Sequence, residues 1–281
     1  MNIAILGTGA IGSAFAFHLS KAGHTVTTIA RGPREQQLRA ENAIVLTSGE
    51  RAAVTVAGQL DTSITYDLVI VTVLAPQVAA VLPALKASAA KTVMFMFNTF
   101  DSLEPLIESV GRRRAAFGFP MGILGRLIDG KLKHQVRSGT TVGDAQWAKL
   151  FTDAGISTVV EKDMQSWLRA HAALVIPLMA SSVKVVEKNA GNTWAEASAY
   201  ATALETGLRT VRDMGHTLTP GFLGALLMLP RFVNTLFIWA LSRLEMTREL
   251  GALGPAEARM LIDMMHKAVP EKSGPLLAIK P

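Results

Sequence analysis

Hydrophobic and polar residues are spaced differently in the two halves of the chain. Over the first 150 residues, short apolar runs of strand length alternate with segments of helical period. The runs at residues 67–73 and 92–97 are typical of strands buried on both faces of a parallel sheet. A hairpin is predicted from residues 44–46 and 53–56. Beyond residue 164 nearly every segment is helical in period. The pattern predicts an α/β domain over residues 1–160, followed by an all-helical domain over 161–281, with a cleft between them.

A glycine-rich motif lies between the first predicted strand and the first predicted helix. Glycine in the first position allows a tight turn, in the second lets the backbone approach a pyrophosphate, and in the third lets the helix pack on the strand. The helix N-terminus then faces the phosphates with its amides. In this context the motif is the fingerprint of a Rossmann-type dinucleotide-binding domain. Its residues are Gly7, Thr8, Gly9, Ala10, Ile11 and Gly12.

The end of the second predicted strand indicates which nicotinamide cofactor is bound. Enzymes that use NAD usually place an acid there for the ribose hydroxyl, whereas this chain has Arg31, with Arg34 three residues later. A guanidinium forms bidentate contacts with phosphate. We therefore predict NADP(H), with Arg31 as the main contact. Arg34 is either a second contact or a solvated loop charge.

Composition excludes several classes of protein. The chain has 281 residues and no cysteine, which excludes a disulfide scaffold, a thiolate nucleophile and Cys-ligated metal sites. A cysteine-free chain fits a reducing compartment, and we expect a cytoplasmic protein. The net charge of +6 is mild, and one run of three arginines is too short to indicate nucleic-acid binding. The six histidines lack metal-ligand spacing, so no metal site is predicted.

The mean hydropathy of +0.31 is high for a globular chain. Residues 222–241 are the best candidate for a membrane span, but Pro230, Arg231 and Asn234 interrupt them, and 172–186 are too short. We interpret 222–241 as two buried helices and expect no membrane partner. Surplus apolar surface usually marks an association site, so we predict a homodimer formed by the helices after residue 190.

Further residues along the chain resemble the ketopantoate reductase family. The resemblance implies a Rossmann domain followed by a helical domain, and reduction of a 2-keto acid by NADPH. It implies that Asn98 lies near the nicotinamide and the substrate, and that a lysine donates a proton to the developing alkoxide. It also implies that Gln77 and the position of Leu74 belong to the cofactor site, although Leu74 stands where the family has a lysine. The resemblance is carried by the glycine motif, Arg31, Val71, Thr72, Val73, Ala75, Gln77, Val78, Asn98, Val142, Gly143, Asp153, Ala154, Gly155 and Trp167.

Several positions depart from the pattern of that family. Arg169 stands where the family has its catalytic lysine, and Ala173 and Pro177 stand where it has two asparagines. Arginine stays protonated, so it is a poor proton donor, although it can bind a carboxylate or an oxyanion. Ser242 and Glu257 are the nearest candidates for a late Ser…Glu motif, and their spacing fits poorly. The more apolar pocket predicts a larger or less polar carbonyl or imine than ketopantoate.

Two residues are candidates to replace the lysine. His171 is a competent proton donor near neutral pH, but it lies about 200° round a helix from Arg169. Lys184 shares the same predicted helix. Each is alternatively an ordinary structural residue, His171 in the core and Lys184 on a solvated face. Asn98 ends a buried strand at the carboxyl edge of the sheet, where ligands bind, or else forms an Asx turn.

The leading hypothesis is an NADPH-dependent reductase of a small-molecule carbonyl, with catalytic candidates Asn98, Arg169, His171 and Lys184. Two alternatives stay open. One is a non-catalytic NADP-binding sensor or assembly protein, which the altered lysine and asparagine positions favour. The other is an NADP-dependent dehydrogenase that works in the oxidative direction.

Overall fold

The chain divides into two compact units. The computed structural model describes residues 1–137, 139–252 and 254–281, and unit 1 comprises Met1–Phe97 and Leu103–Met164. Unit 2 comprises Asn98–Ser102 and Gln165–Pro281. The change of period in the sequence lies close to the third point at which the chain passes between the units, after Met164. The hydrophobic pattern gives no signal for the brief excursion of Asn98–Ser102 into unit 2.

Unit 1 is a Rossmann-type α/β unit. Its helices are α1 (Ala10–Lys21), α2 (Gly32–Glu41), α3 (Val78–Ala87), α4 (Glu104–Val110) and α5 (Ala145–Asp153), with a 3-10 turn at Ala75–Gln77. Its strands are β1 (Asn2–Leu6), β2 (Thr25–Ile29), β3 (Ala43–Val45), β4 (Arg51–Ala53), β5 (Thr55–Ala57), β6 (Leu68–Val71), β7 (Val93–Phe95), β8 (Ala115–Phe119), β9 (Ile123–Ile128), β10 (Lys131–Val136), β11 (Thr140–Val142) and β12 (Thr158–Val160).

The central sheet confirms the predicted parallel architecture. Among the described residues its eight strands run in the order β12-β11-β8-β7-β6-β1-β2-β5, and the pairs are parallel except β8 with β11. Leu6 on β1 pairs with Ile29 on β2 and with Val71 on β6. All four residues of β6 are buried, as its unbroken apolar sequence indicates. The carboxyl ends of these three strands therefore meet at one edge, where the glycine motif begins.

Two hairpins show what short-range patterns can and cannot predict. A hairpin forms near the predicted position, but the strand that pairs with β3 is Arg51–Ala53 and not 53–56. Most of the predicted second strand belongs to Thr55–Ala57, which pairs in parallel with β2 as an edge strand. The β9–β10 hairpin was not predicted. Its turn residues Asp129 and Gly130 have φ values of 47° and 78°, as a two-residue Asp-Gly hairpin turn requires. That dipeptide, between alternating apolar residues, was the available signal.

Unit 2 is helical in its regular elements. A second hydrophobic core, which includes Phe100, Ile176, Leu208 and Ile262, holds its helices together. The helices are α6 (Met164–Lys188), α7 (Trp194–Asp213), α8 (Phe222–Leu226), α9 (Arg231–Leu241), α10 (Glu245–Gly251), α11 (Ala256–Ala268) and α12 (Gly274–Ala278), with a 3-10 turn at Pro270–Lys272.

Helix α6 is longer than the sequence indicated. Pro177 lies inside it without ending it, so 25 residues form one helix, and the expectation of a segment too short to span was wrong. By length and composition alone, α6 could cross a membrane. However, 67% of its most apolar window is buried inside the protein, and a buried core helix meets the same criterion.

Residues 222–241 form two helices as predicted, but the expectation that they are buried was wrong. Helix α9 packs on α7 through a polar contact, in which Asn234 donates to the buried Glu205 carboxylate at 3.3 Å. Its other face is exposed and apolar, because Phe232 is 63% and Phe237 is 47% exposed. Between α8 and α9, Met228 is 86% exposed. A large apolar surface thus lies on the outside of unit 2.

Candidate functional site

The glycine motif forms a tight loop between β1 and α1. Gly7 has φ +101°, and a Cβ atom there would lie 2.8 Å from the Val73 nitrogen. A Cβ atom on Gly12 would lie 2.6 Å from Thr72 Oγ1 and would also meet the Gly7 carbonyl. Nothing in the described chain lies within 4 Å of the Cβ position of Gly9. The first and third glycines are thus required by packing inside the protein, whereas the second leaves space outside it.

Neighbouring polar groups hold this loop in place. Thr72 Oγ1 donates to the Gly7 carbonyl at 2.7 Å, and the buried Thr8 hydroxyl donates to Ile29 O at 3.2 Å. Gly9 is the N-cap residue of α1, and Ala10 and Ile11 in the first turn pack against the core of unit 1. The first turn has no acidic side chain. A preorganised helix N-terminus beside open space fits the pyrophosphate of a dinucleotide.

Arg31 lies where the sequence predicted a cofactor contact. It is the N-cap residue of α2, directly after β2, and its side chain is exposed. The helix begins at Gly32 with Pro33 in its first turn, earlier than the start near residue 35 that the sequence indicated. Proline is well suited to the first helical turn because its missing N–H has no partner there in any case. The guanidinium of Arg31 is accessible to an anionic ligand.

Arg34 is held by protein acceptors and is not a solvated loop charge. Its Nε donates to Thr8 O at 3.0 Å, its Nη2 to Ser13 Oγ at 2.9 Å, and its Nη1 to Gly130 O at 2.8 Å. Burial lowers the pKa of its guanidinium below the ordinary value. These contacts join the glycine loop, α1 and the β9–β10 turn. Arg34 therefore supports the loop from within the protein.

Leu74 and Gln77 form a short turn after β6. The Leu74 N–H donates to Gln77 Oε1 at 3.1 Å, and the Gln77 N–H donates to Leu74 O at 2.8 Å. Leu74 is 54% exposed and offers an apolar surface. The side-chain oxygen of Gln77 therefore accepts a hydrogen bond that closes this turn.

Asn98 is the first residue of the segment that enters unit 2. Its side chain is 7% exposed, and Nδ2 donates to Glu257 Oε1, on α11, at 2.8 Å. Its Oδ1 is buried and has no hydrogen-bond partner within the described residues. A buried acceptor without a partner costs about 1–3 kcal/mol, so such an atom is a candidate to receive a ligand donor. Glu257 lies 159 positions away along the chain, and only the fold brings it to Asn98.

Arg169 contacts the same segment from α6. Its Nε donates to Phe100 O at 3.0 Å, and its guanidinium lies 5.4 Å from the centre of the Phe100 ring. Its Nη1 is hydrogen-bonded to His216 Nε2. Burial lowers the pKa of Arg169, and the Asp101 carboxylate opposes that shift. The guanidinium is thus largely occupied by protein groups, and its partner His216 was not anticipated from the sequence.

Comparison with known proteins identifies the family. The model of the ketopantoate reductase PanE/ApbA family matches residues 3–147, which is half of the chain. The chain belongs to the ketopantoate reductase family. Members of this family are NADPH-dependent oxidoreductases that act on a CH–OH or C=O group.

One curated relative and many solved structures are similar to this chain. The 2-dehydropantoate 2-reductase of Vibrio cholerae serotype O1 is 40% identical over 113 residues, which is 39% of this chain and only 36% of the relative's own length. The dimeric ketopantoate reductase of Staphylococcus aureus aligns with 100% of this chain and 96% of its own at a TM-score of 0.68 and 17% identity. D-Mandelate dehydrogenase in complex with NADH aligns with 100% of this chain and 96% of its own at 0.71 and 15%. At these identities the structural likeness shows the fold alone.

His171, a candidate to replace the family's lysine, lies in the core of unit 2. It is 7% exposed, and its ring stacks on Trp167 with centroids 4.9 Å apart and planes 8° apart. Burial lowers the pKa of His171 to about 3. The imidazole is therefore neutral at physiological pH and supplies no imidazolium proton, in accordance with the structural alternative for this residue.

Lys184 and the remaining family positions have structural contacts. Lys184 is about half exposed and forms an ion pair with Glu187 at 3.5 Å. Ala173 is buried, with its Cβ 3.2 Å from where a Cβ on Gly207 would be, so the small side chain lets α6 and α7 approach closely. Ser242 is buried, accepts a hydrogen bond from Asn192 N at 2.9 Å and caps the end of α9. These contacts explain the residues without a ligand.

Proposed function

We propose that this protein is an NADPH-dependent reductase of a carbonyl or imine substrate. The observation that carries the proposal is the glycine loop, in which Gly9 faces open space while Gly7 and Gly12 are packed against the protein. Open space beside a glycine at a helix N-terminus lets a pyrophosphate approach the backbone closely. Family membership supports the same conclusion.

The residues of unit 1 fit NADPH. The loop amides and the N-terminus of α1 would hold the pyrophosphate, and Arg31 would bind the 2′-phosphate that distinguishes NADPH from NADH. Within unit 1, Leu74 and Gln77 are proposed to complete the cofactor site. When bound, NADPH supplies the hydride that is added to the substrate carbon. The protein's own contribution is to bind, to orient and to exclude competing reactions.

We further propose that ketopantoate is a poor substrate. Two polar groups of the family pattern are replaced by Ala173 and Pro177, and the guanidinium of Arg169 is occupied by Phe100 O and His216. A carbonyl compound with a larger or less polar substituent fits such a site better. Asn98 Oδ1 is the proposed contact to the substrate, because it is buried, carries no hydrogen bond within the described residues and belongs to the residue that the family resemblance assigns to the substrate site. Asn192 Oδ1 and Thr210 Oγ1 in unit 2 are also buried without a hydrogen bond there, but the resemblance assigns them no such role.

Cofactor titration and a substrate panel test this proposal. NADPH should bind about 10–100-fold more tightly than NADH, and Arg31→Ala should remove the preference because one charge-assisted contact to phosphate is lost. Arg39→Ala, on the exposed face of the same helix, is the matched control. Consumption of NADPH with bulky 2-keto acids, apolar ketones or imines should exceed that with ketopantoate by orders of magnitude. Equal binding of both cofactors would contradict the proposed preference for NADPH. Rapid turnover of ketopantoate would contradict the proposal that it is a poor substrate.

The second candidate is a non-catalytic NADP-binding protein, favoured by the occupied guanidinium of Arg169. Tight NADPH binding without turnover of any member of the panel would support it. Operation in the oxidative direction, as an NADP-dependent dehydrogenase, would be detected by the same assay with NADP+ and the corresponding alcohols or amines. A cytoplasmic location fits both the cofactor and a cysteine-free chain.

We also propose a homodimer through the exposed apolar face of α8 and α9. The face includes Phe222, Met228, Phe232, Leu236 and Phe237, each between 47% and 86% exposed. Such a patch on a globular protein usually marks an association site, and an isologous dimer covers it twice. Light scattering should give twice the monomer mass of 30.0 kDa. Phe232→Asp should shift the species to the monomer, and an unchanged monomeric mass in the unmodified protein would refute the dimer.

A further inference from the structure

The segment Asn98–Ser102 is held from α6 at two points. Arg169 Nε donates to Phe100 O at 3.0 Å while its guanidinium lies over the fully buried Phe100 ring. Four residues earlier on α6, Gln165 Nε2 donates to Asp101 O at 3.2 Å. Asn98 is therefore presented by a short backbone segment whose carbonyls are fastened to one helix.

His216 fastens Arg169 in turn. Since an arginine N–H can only donate, His216 Nε2 must be the unprotonated acceptor of the bond from Arg169 Nη1. In the neutral imidazole the proton is then on Nδ1, which lies 3.0 Å from Ser166 Oγ and donates to it. The neighbours thus determine the tautomer. Ser166, His216, Arg169 and the Phe100 carbonyl form one continuous chain of hydrogen bonds.

We propose that Arg169 and His216 are positioning residues, which hold the Asn98 segment in the geometry that the reaction needs. The proposal rests on the reductase function proposed above and assigns a use to the arginine at the family's lysine position. In this protein the side chain acts on the substrate only through Asn98. His216 has no role in the family resemblance or in the sequence motifs.

The chemistry of the side chain explains why this position holds arginine. A guanidinium presents donors in a planar fork, so that Nε and Nη1 can bind two acceptors in different directions and its face can stack on a ring. A lysine has a single nitrogen and no planar face. Arg169→Lys can keep the bond to Phe100 O or the bond to His216, but it loses the stacking and cannot reproduce both bonds in this geometry.

Hydrogen–deuterium exchange tests this arrangement without relying on enzymatic activity. His216→Ala should increase exchange in peptides that cover residues 98–102 by about tenfold, because Arg169 loses a fixed partner. His216→Gln should restore near-wild-type exchange, since its amide oxygen can accept from Arg169. Arg169→Lys should be intermediate. Arg209→Ala, exposed on α7, is the control and should leave the segment unchanged.

Steady-state kinetics provide the second readout. With a turned-over carbonyl substrate, His216→Ala should lower kcat about tenfold while NADPH affinity is unchanged, and His216→Gln should recover most of the loss. Wild-type exchange and kcat in both His216→Ala and Arg169→Lys would overturn the proposal. So would a His216→Gln variant as impaired as His216→Ala. If the protein turns over no carbonyl, the reductase proposal fails, and the exchange data still decide whether Arg169 and His216 hold the segment.

Discussion

The glycine loop of unit 1 and the Asn98 cluster of unit 2 are built in different ways. The loop consists of residues 7–12, which are adjacent in sequence, and its packing contacts come mainly from the neighbouring strand end at Thr72 and Val73. The Asn98 cluster joins residues separated by up to 159 positions: Asn98, Arg169, His216 and Glu257. A contiguous motif determines its own geometry, whereas a cluster assembled from distant segments depends on the whole core beneath it.

The difference also extends to how each region tolerates change. In the loop, a Cβ atom on Gly12 would collide with the Gly7 carbonyl and the Thr72 side chain, so the constraint is steric. In the cluster, hydrogen bonds of charged and polar groups set the geometry, and a substitution of similar shape can replace them. We therefore expect abrupt losses in the loop and graded ones in the cluster and on the surface of its helices.

The largest effect is expected at Gly12. Gly12→Val should destabilise the protein by about 3 kcal/mol, because there is no room for a side chain beside Thr72 Oγ1. Gly9→Ala should change the free energy of unfolding by less than about 1 kcal/mol but weaken NADPH binding, because its methyl group occupies the space open to a phosphate. Urea denaturation and cofactor titration separate the two. Equal losses of stability at both glycines would contradict the assigned packing.

The next largest effect is expected from His171, whose lowered pKa should make the free energy of unfolding depend on pH. Its pKa is about 3 in the folded protein and 6.5 in the reference state, so the unfolded chain binds the proton first as pH falls. Its stabilising contribution is complete above pH 6.5 and declines by about 1.4 kcal/mol per pH unit as pH falls towards 3.

His171→Phe keeps an aromatic ring against Trp167 and removes the titration. Plots of unfolding free energy against pH should therefore be flatter for the variant below pH 6.5, while the contributions of other histidines cancel in the difference. Parallel plots for the two proteins would show that His171 does not stay neutral in the folded state.

A smaller effect separates the two arginines near the cofactor loop. Arg34→Ala should destabilise the protein by about 1.5 kcal/mol, because the partly buried carbonyl groups of Thr8 and Gly130 lose a charged donor, while the ratio of NADPH to NADH affinity is retained. The exposed Arg31 should show the reverse pattern when replaced by alanine, with unfolding free energy changed by less than about 0.5 kcal/mol. Thermal denaturation and fluorescence titration measure both. If Arg34→Ala instead loses the preference for NADPH over NADH, Arg34 is a contact to the 2′-phosphate.

The smallest effect is expected at Lys184. Its ion pair with Glu187 is about half exposed, and such surface pairs contribute about 0–1 kcal/mol. Lys184→Ala should leave both the unfolding free energy and kcat close to the unmodified values. A large fall in kcat with an unchanged KM would instead identify Lys184 as the proton donor.

The sequence alone was sufficient for the parallel sheet, the helical second half and the glycine loop. Each rests on local information: unbroken apolar runs, helical period, and glycines at fixed spacing between a strand and a helix. The Asp129-Gly130 dipeptide is an equally local signal of a hairpin turn, but the β9–β10 hairpin was not predicted from it. The interpretation of residues 222–241 failed because composition reports how apolar a helix is, whereas burial depends on which elements cover it.

Tertiary structure alone decided the roles of individual polar residues. Arg34 and Arg31 are both cations beside the same loop, yet one is bound to Thr8, Ser13 and Gly130 and the other is exposed. His216 carries no signal in the sequence, and Glu257 was only a poorly spaced candidate for the Ser…Glu motif. The two residues meet Arg169 and Asn98, respectively, only in the fold. The physical reason is that hydrogen bonds and pKa shifts act over a few ångströms in space. The order of residues along the chain does not specify such distances until the core has formed.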